Sequence, residues 1–509
     1  MLVVGGGLTG LATASVLARA GREVTVLEAR RIGSGTTGHS TAKVSLLQGS
    51  ILQRMRAHRS ANAVAAYVRA NAAGQRWLID VMSRHERPVH RCPAVTYAVT
   101  DAGADRVAAE TRLARRAGLD VVVGPQVGLP FPVRAALTLD DQVQLDPLDL
   151  LDALRTEVEQ SGGRVLEGVR VTGMSWARVP WVVHTDAGQV RADRVVLATG
   201  TPVIDRTMHV LVSEPQRSYA AAYACDPMPI GAMYLSVDDE ARSLRSGAPS
   251  VPGLLIVGGN NHRVGRAQER DCSSDLDGWA RAHFAVGPAR WAWSAQDYRL
   301  PRHAPSVGSV PGTDGRLLVA TGYDKWGMTN AAAAAQVLGG LVTGEMPEWH
   351  MAYGHDRVSA GDLAAALRTV GHSMALVGID RAAVLGRSST RRPPEGRAQV
   401  VGPAHAPVGV STVDGTTRRV SAVCPHRGGV LAWNDAELSW DCPLHGSRFT
   451  AGGELIEGPA TCGLAAVDAP PSSDDDRPRT AAAANRGRRV EVPEGASGGP
   501  PRDGERESG

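Results

Sequence analysis

Two Cys and two His near the C-terminus leave this chain few options. Cys424-Pro425-His426 is followed, after fifteen residues, by Cys442-Pro443-Leu444-His445. The spacing is C-x-H and then C-x-x-H, so each short segment offers one thiolate and one imidazole. A zinc site also accepts two Cys and two His, but its usual spacings pair Cys with Cys and His with His. One of each per segment suits a two-iron, two-sulfide centre, with both Cys on one iron and both His on the other. Pro425 and Pro443 fix the backbone beside a ligand, and Gly428, Gly429 and Gly446 let the chain pass close to an inorganic core. The competing reading is a zinc knuckle.

The stretch Trp433-Asn434 and Ser439-Trp440-Asp441-Cys442-Pro443-Leu444-His445-Gly446-Ser447-Arg448-Phe449 resembles a Rieske domain. That resemblance implies a [2Fe-2S] cluster, with Cys424 and Cys442 on one iron and His426 and His445 on the other. Two departures stand out. Many Rieske domains brace the cluster with a disulfide; the matching positions here are Gly429 and Leu444, which cannot form one. Respiratory-type loops carry a Tyr where this chain has Phe449, although Ser447, the other hydroxyl donor of that pattern, is present. Fewer donors to the sulfurs lower a cluster's potential.

The chain has 509 residues, room for two to four domains, and a net charge of +3, which implies no strong polyanion partner such as nucleic acid. Among 55 basic residues only Lys43 and Lys325 are lysines. A partly buried Lys can give up its proton where Arg cannot, so both are candidates for a role beyond surface charge. Cys92, Cys225, Cys272 and Cys462 lack a framework spacing and read as free thiols of a reducing, cytoplasmic compartment. No apolar run is long enough for a membrane span. Met1 leads straight into a strand and a glycine loop, an abrupt start that suggests a true N-terminus a few residues upstream.

Leu2-Val3-Val4 reads as a buried parallel strand. Gly5, Gly7 and Gly10 then satisfy G-x-G-x-x-G, residues 11–20 read as a helix, and Glu23 to Leu27 as a second strand ending at Glu28. With the strand, the helix and the acid in place, this is a dinucleotide-binding unit. The glycines admit a pyrophosphate at the helix N-terminus, and Glu28 can accept from a ribose hydroxyl.

Later stretches resemble the D-amino-acid oxidase superfamily of flavoproteins, in order and spacing, over about residues 1–350. They are Gly35-Thr36-Thr37-Gly38-His39-Ser40-Thr41-Ala42-Lys43, Asp146-Pro147 opening a helix over 148–160, a strand over 164–173, and Arg194 to Gly200. Pro305-Ser306-Val307-Gly308 and Thr321 to Asn330, leading into a helix over 331–342, complete the set. The resemblance implies FAD, held by Gly5, Gly7, Gly10, Glu28, Thr37, Lys43, Gly200, Gly322, Gly327, Met328 and Thr329. Lys43 and Lys325 are the candidate catalytic residues, and His39, Tyr323 and Trp326 are further neighbours of the flavin. Arg302 and His303 read as surface groups before substrate ligands, and His355, His372 and His405 as surface. Gly258-Gly259-Asn260-Asn261-His262 lacks the spacing of a second dinucleotide loop.

The expected fold is an α/β FAD-binding Rossmann-like domain with an α+β substrate or cap region, then a small all-β Rieske domain and a disordered tail. The boundaries are 1–350 for the oxidoreductase domain, 351–392 for a connector, 393–467 for the Rieske domain and 468–509 for the tail. Helices are expected within 59–120, and strands near 94–99, 210–236 and 253–257. The implied activity is oxidation of a small amine, amino acid or hydroxy acid, with electrons passing from flavin to cluster and then to an external one-electron acceptor. The alternatives are a redox sensor or electron-transfer module, and a dioxygen-using oxidase with a structural cluster. From the motifs alone, loss of a Cys/His ligand is expected to leave the flavin in place, and loss of Gly7 to leave the cluster.

Overall fold

The strand Leu2–Val4 is buried on both faces and sits inside a six-stranded sheet. Across that sheet the order is Ser306–Ser309, Leu317–Thr321, Val195–Leu197, Leu2–Val4, Thr25–Leu27 and Arg164–Leu166. All neighbours are parallel except the first pair. The computed structural model describes residues 1–468, apart from 177–178, 205–208, 266–268, 354–366, 368–370, 372–377, 380 and 383–391. The expected tail from 469 onward, most of the connector, and His355 and His372 lie outside the described residues.

Continuous apolar strands of this kind need cover on both sides. The helix Leu8–Arg19 and the helix Gly327–Thr343 supply part of it, with Ala332 to Ala335 wholly buried. Their contact is close because Gly339 has no side chain; a Cβ there would sit 2.5 Å from Val16 Cγ1. Small residues along the last helix thus let it lie close against the first, which fixes its N-terminus beside the glycine loop.

A nine-stranded sheet forms the second layer, from Trp291–Arg299 at one edge to Lys43–Val44 at the other. Its long strands are Glu214–Ala224, Leu254–Arg263, His90–Ala98 and Ala135–Gln144. Two expectations change here. The run 164–173 divides at Gly168, whose φ of +72° turns the chain; Arg164–Leu166 joins the parallel sheet and Val171–Ser175 a separate three-stranded one. The run 210–236 becomes a short helix, His209–Val212, and two strands, Glu214–Ala224 and Met233–Ser236. Pro227 and Pro229 interrupt it because proline cannot donate to a ladder.

The C-terminal part carries a three-stranded sheet, Ala398–Val401, Val408–Val413 and Thr416–Ser421, and a four-stranded one, Ala432–Asn434, Ser439–Asp441, Arg448–Thr450 and Leu455–Glu457. Its core holds Trp440 and Phe449 at 0% exposure, with Leu431, Leu444 and Val420. Among the described residues no helix is long and apolar enough to cross a membrane.

Candidate active site and cluster site

A cavity of about 530 Å³ opens where the parallel sheet meets the nine-stranded sheet. Gly5, Gly7, Glu28, Thr37, Lys43 and Gly200 line it. Gly5 has φ +107°, and a Cβ there would lie 2.6 Å from the Ala198 carbonyl. At Gly10 a Cβ would fall 1.8 Å from the Gly5 carbonyl, so this glycine shapes the loop without lining the cavity. Gly7 begins the helix Leu8–Arg19 with no side-chain cap of its own; Thr37 Oγ1 takes the Leu8 N–H at 3.1 Å, and the positive end of the helix still faces the cavity, where it suits an anion. Glu28 accepts from the backbone N–H of Gly6 at 2.7 Å and of Arg30 at 2.9 Å, and so sets the loop as well as facing the cavity. This glycine cradle, with a helix N-terminus and an acid beside it, fits the diphosphate and ribose of a dinucleotide.

From the other side come Tyr323, Lys325, Trp326, Gly327 and Met328. The helix Gly327–Thr343 also starts with no side-chain cap. Tyr323 shares a hydrogen bond with Thr9 at 3.0 Å, joining the two glycine-loop regions. Gly322 and Thr329 do not line the cavity. Gly322 has φ +81° and packs on Leu300, and Thr329 turns toward Asn71 and Gln48. The sequence had placed both beside the flavin; the structure makes them supports for that loop and helix.

Lys43 donates to the Tyr234 carbonyl and to Ser243 Oγ, both at 2.6 Å. Burial holds its ammonium down to a pKa of about 7, with Arg245 adding to the effect. Lys325 sits at φ +75°, is exposed and lines the cavity. Its pKa also lies below the ordinary lysine range, by desolvation, with Asp324 opposing. Sequence reading overlooked Asp297. This cavity residue is raised to about 6 by burial, although it accepts the N–H groups of Tyr298 and Lys325. His303 is tied to Asp324 at 2.9 Å, and His405 is exposed as expected. His39 lines the cavity, its Nδ1 2.8 Å from the Gly35 carbonyl.

The Cys/His loops are built alike. Gly428 N–H donates to the Cys424 carbonyl and Gly446 N–H to the Cys442 carbonyl, each at 2.9 Å, and both glycines have positive φ, +72° and +80°. Cys424 N–H then bonds the Gly429 carbonyl, and Cys442 N–H the Ser447 carbonyl. The turns bring the Cys424 and Cys442 thiols into contact and set the His426 and His445 rings 5.2 Å apart. Cys424, Cys442 and His445 are buried, while His426 is partly open. Among the described residues no three His, Cys, Asp or Glu side chains converge to hold one ion. A thiol pair beside an imidazole pair is instead the donor set of a two-iron centre, with two protein ligands per iron.

Although Pro425 and Pro443 can donate no N–H, the sulfurs have other donors. The N–H groups of His426 and Arg427 and the Ser447 hydroxyl point at Cys424, and those of Leu444 and His445 at Cys442. Arg448 is not an open surface cation; it lies by Asp441 at 3.4 Å and Glu437 at 3.2 Å. Gly429 and Leu444 do face each other: a Cβ on Gly429 would meet Leu444 Cδ1 at 2.7 Å. Leucine packing fills the place of the missing disulfide.

A buried ion pair seats the cluster loops on the larger sheet. Arg217, at 0% exposure, donates to Asp441 Oδ2 at 2.9 Å and also to Ser294 and Gln296. Asp441 further accepts from Asn434 and Ser439. Burial alone would raise its pKa; Arg217 and Arg448 outweigh that and hold it below the usual carboxylate range. Saturation with hydrogen bonds is what makes such a buried pair tolerable. Gln296 Nε2 donates to the Gly446 carbonyl at 2.8 Å, and the Gln296 carbonyl accepts from Thr36 at 2.6 Å. A lone Arg in the apolar strand Glu214–Ala224 was the sequence signal for this contact, and it went unread.

Glycine cradle, cavity and sheet order together define a flavoprotein oxidoreductase carrying an iron–sulfur domain. Residues 1–341 match the FAD dependent oxidoreductase family, and the chain belongs to it. Residues 387–468 match the Rieske [2Fe-2S] domain, so the cofactors are FAD and a [2Fe-2S] cluster. A relative similar over nearly the whole chain is YhfW of Bacillus subtilis (strain 168), whose name calls it a Rieske 2Fe-2S iron-sulfur protein. It is 26% identical over 479 residues, 92% of either chain. The cytochrome b6-f complex iron-sulfur subunit 2 of Synechocystis sp. is 43% identical, over 56 residues only, 11% of this chain and 31% of its own. Glycine oxidase from Geobacillus kaustophilus shares the fold at TM-score 0.59 and 18% identity, covering 70% of this chain and 98% of its own. L-proline dehydrogenase from P. horikoshii does so at TM-score 0.58 and 18% identity, covering 69% and 94%.

Proposed function

We propose that this oxidoreductase oxidises a small amine, amino acid or hydroxy acid at FAD and hands the electrons, through the [2Fe-2S] cluster, to an external one-electron acceptor. The observation that carries this reading is Gln296. Its carbonyl takes the Thr36 hydroxyl of a cavity loop, and its side chain holds Gly446, the residue after the ligand His445. The two cofactor sites are one residue apart through that strand. Solved structures of the same fold include a glycine oxidase and an L-proline dehydrogenase, which supports amino-acid chemistry. Bound FAD supplies the two-electron oxidation and the cluster supplies one-electron transfer.

In this reading the dinucleotide is held by Gly5, Gly7, Glu28 and the helix N-terminus after Gly7. Thr37, Gly200, Gly327 and Met328 line the rest of its site, and Gly10, Gly322 and Thr329 shape it. Cys424, His426, Cys442 and His445 hold the cluster. Lys43, with its depressed pKa, exchanges a proton near neutrality at the cavity wall. Lys325 offers a cation for a carboxylate, and Asp297 an acid for an ammonium. The domains fall at 1–350 and 393–467.

Anaerobic titration with a panel of amines, amino acids and hydroxy acids tests the reading, with flavin and cluster absorbance followed together. The expected result is that one class of substrate bleaches both centres. Flavin bleaching that leaves the cluster oxidised would overturn it in favour of a direct oxidase.

A further inference from the structure

The cavity that accommodates the dinucleotide is not made by the oxidoreductase domain alone. Ile456, Glu457, Gly458 and Ala460, from the end of the cluster domain, form part of its wall. They belong to the strand Leu455–Glu457 and the turn after it, fourteen to eighteen residues beyond Cys442, in the four-stranded sheet of the cluster domain and not in either large sheet of the oxidoreductase domain. We propose that this segment is part of the FAD site, closing it on the side of Glu28, so that FAD is held tightly only when the cluster domain is docked.

Several contacts place the segment there. Arg170 donates to the Leu455 carbonyl at 3.3 Å, and Arg170 lines the cavity next to Val169 and Val171. The Tyr298 hydroxyl approaches the Gly458 carbonyl at 3.5 Å. A Cβ on Gly458 would come within 3.2 Å of Val203, another cavity residue, so the turn is pressed against the oxidoreductase domain. Arg30, two residues after Glu28, faces both Arg170 and Glu457 electrostatically. The segment therefore stands over the end of the cavity that Glu28 marks.

The wall is also joined to the cluster loops. Ala460 N–H donates to Ser447 Oγ at 2.9 Å, and the Ser447 hydroxyl donates to the Cys424 sulfur. One serine thus connects a cluster ligand with a residue of the cavity wall. Docking itself rests on Arg217 with Asp441 and on Gln296 with Gly446. The independence of the two cofactor sites suggested by the motifs gives way to a shared wall. A ligand enclosed by two domains binds with the combined contacts of both, and loses a part of them when the domains separate.

The test uses full-length protein stripped of flavin with its cluster intact, and reads FAD affinity by fluorescence quenching, without substrate or acceptor. Two variants are compared. Ile456→Ala shaves the wall, and Arg217→Met breaks the docking pair. In a separate sample of each, the EPR signal of the dithionite-reduced cluster reports that the C-terminal domain is folded. The expected result is a Kd for FAD raised about tenfold in both, with the EPR signal kept. Affinity within twofold of wild type in Ile456→Ala overturns the proposal, whether or not Arg217→Met weakens binding. If Arg217→Met does not fold, Ile456→Ala alone decides. Because no electron is transferred in this measurement, its outcome is separate from that of the proposed flavin-to-cluster route.

Discussion

The dinucleotide cavity and the cluster loops solve the problem of holding a cofactor in opposite ways. The cavity is assembled from pieces up to 455 residues apart, from Gly5 to Ala460. It is shaped largely by what is missing: side chains at Gly5, Gly7 and Gly10, and caps at two helix ends. The cluster loops fit within Cys424 to His445 and repeat one turn, each closed by a glycine at positive φ. A distributed site depends on the whole fold; a local one depends on its own few hydrogen bonds. That contrast says which site each substitution will reach.

The sharpest break is a pair of substitutions. Gly7→Val puts a branched side chain where a pyrophosphate must approach, and is expected to remove the flavin while leaving the cluster. Cys442→Ser is expected to remove the iron and acid-labile sulfide completely, with FAD still bound, though more weakly. Metal analysis and flavin release on each variant check this. Zinc in the wild-type loops after anaerobic isolation, or full flavin occupancy in Gly7→Val, would mean that one of the two sites has been misassigned.

The cluster loops were legible because their information is local. Ligand identity, spacing and the glycines sit within one window of the chain, and the Gly429–Leu444 pairing expected from position is the contact the structure shows. The dinucleotide loop was legible for the same reason, as strand, glycines, helix and Glu28 run consecutively. Not legible were Asp297, Gln296, Arg217 and Ile456. Gln296 and Arg217 act through partners more than a hundred residues away, Ile456 meets a cavity built mostly by a distant part of the chain, and Asp297 owes its raised pKa to burial that only the fold creates. Gly322 and Thr329 show the reverse: adjacent in sequence to cavity residues, they point elsewhere because a turn and a helix face alternate.

A second, smaller effect concerns the sulfurs. Ser447→Ala removes the hydroxyl that reaches Cys424. A hydrogen bond to a charged group is worth about 1.5–3 kcal/mol, roughly 60–130 mV for one electron. The potential measured by protein-film voltammetry should fall by up to that amount. Phe449→Tyr should raise it only if the new hydroxyl reaches a sulfur from the packed core. With five donors already aimed at the two sulfurs, the wild-type value should lie above the lowest part of the Rieske range. No fall in Ser447→Ala would show that backbone N–H groups set the potential without it.

The smallest expected effect is a pH profile. Lys43 is depressed to about 7, against an ordinary 10.5 in the unfolded chain. Between these values the unfolded state binds the extra proton, so this lysine's unfavourable contribution to folding is present below pH 7 and relieved as pH rises toward 10.5. Flavin reduction by substrate should show an inflection near pH 7, with the neutral amine above it. Lys43→Met should flatten that step by a fewfold change in rate. A profile unchanged in the variant would assign the inflection to another group, Asp297 first.

Leu444 resting on Gly429 has a consequence outside the cofactor itself. A disulfide latch has its own reduction potential, and glutathione or thioredoxin can open it. An isobutyl group against a bare backbone has none. The loops here are kept shut by van der Waals contact, which no thiol reagent exchanges and no oxidant restores. Dithiothreitol should leave their closure as it finds it, whatever electrons the irons are carrying.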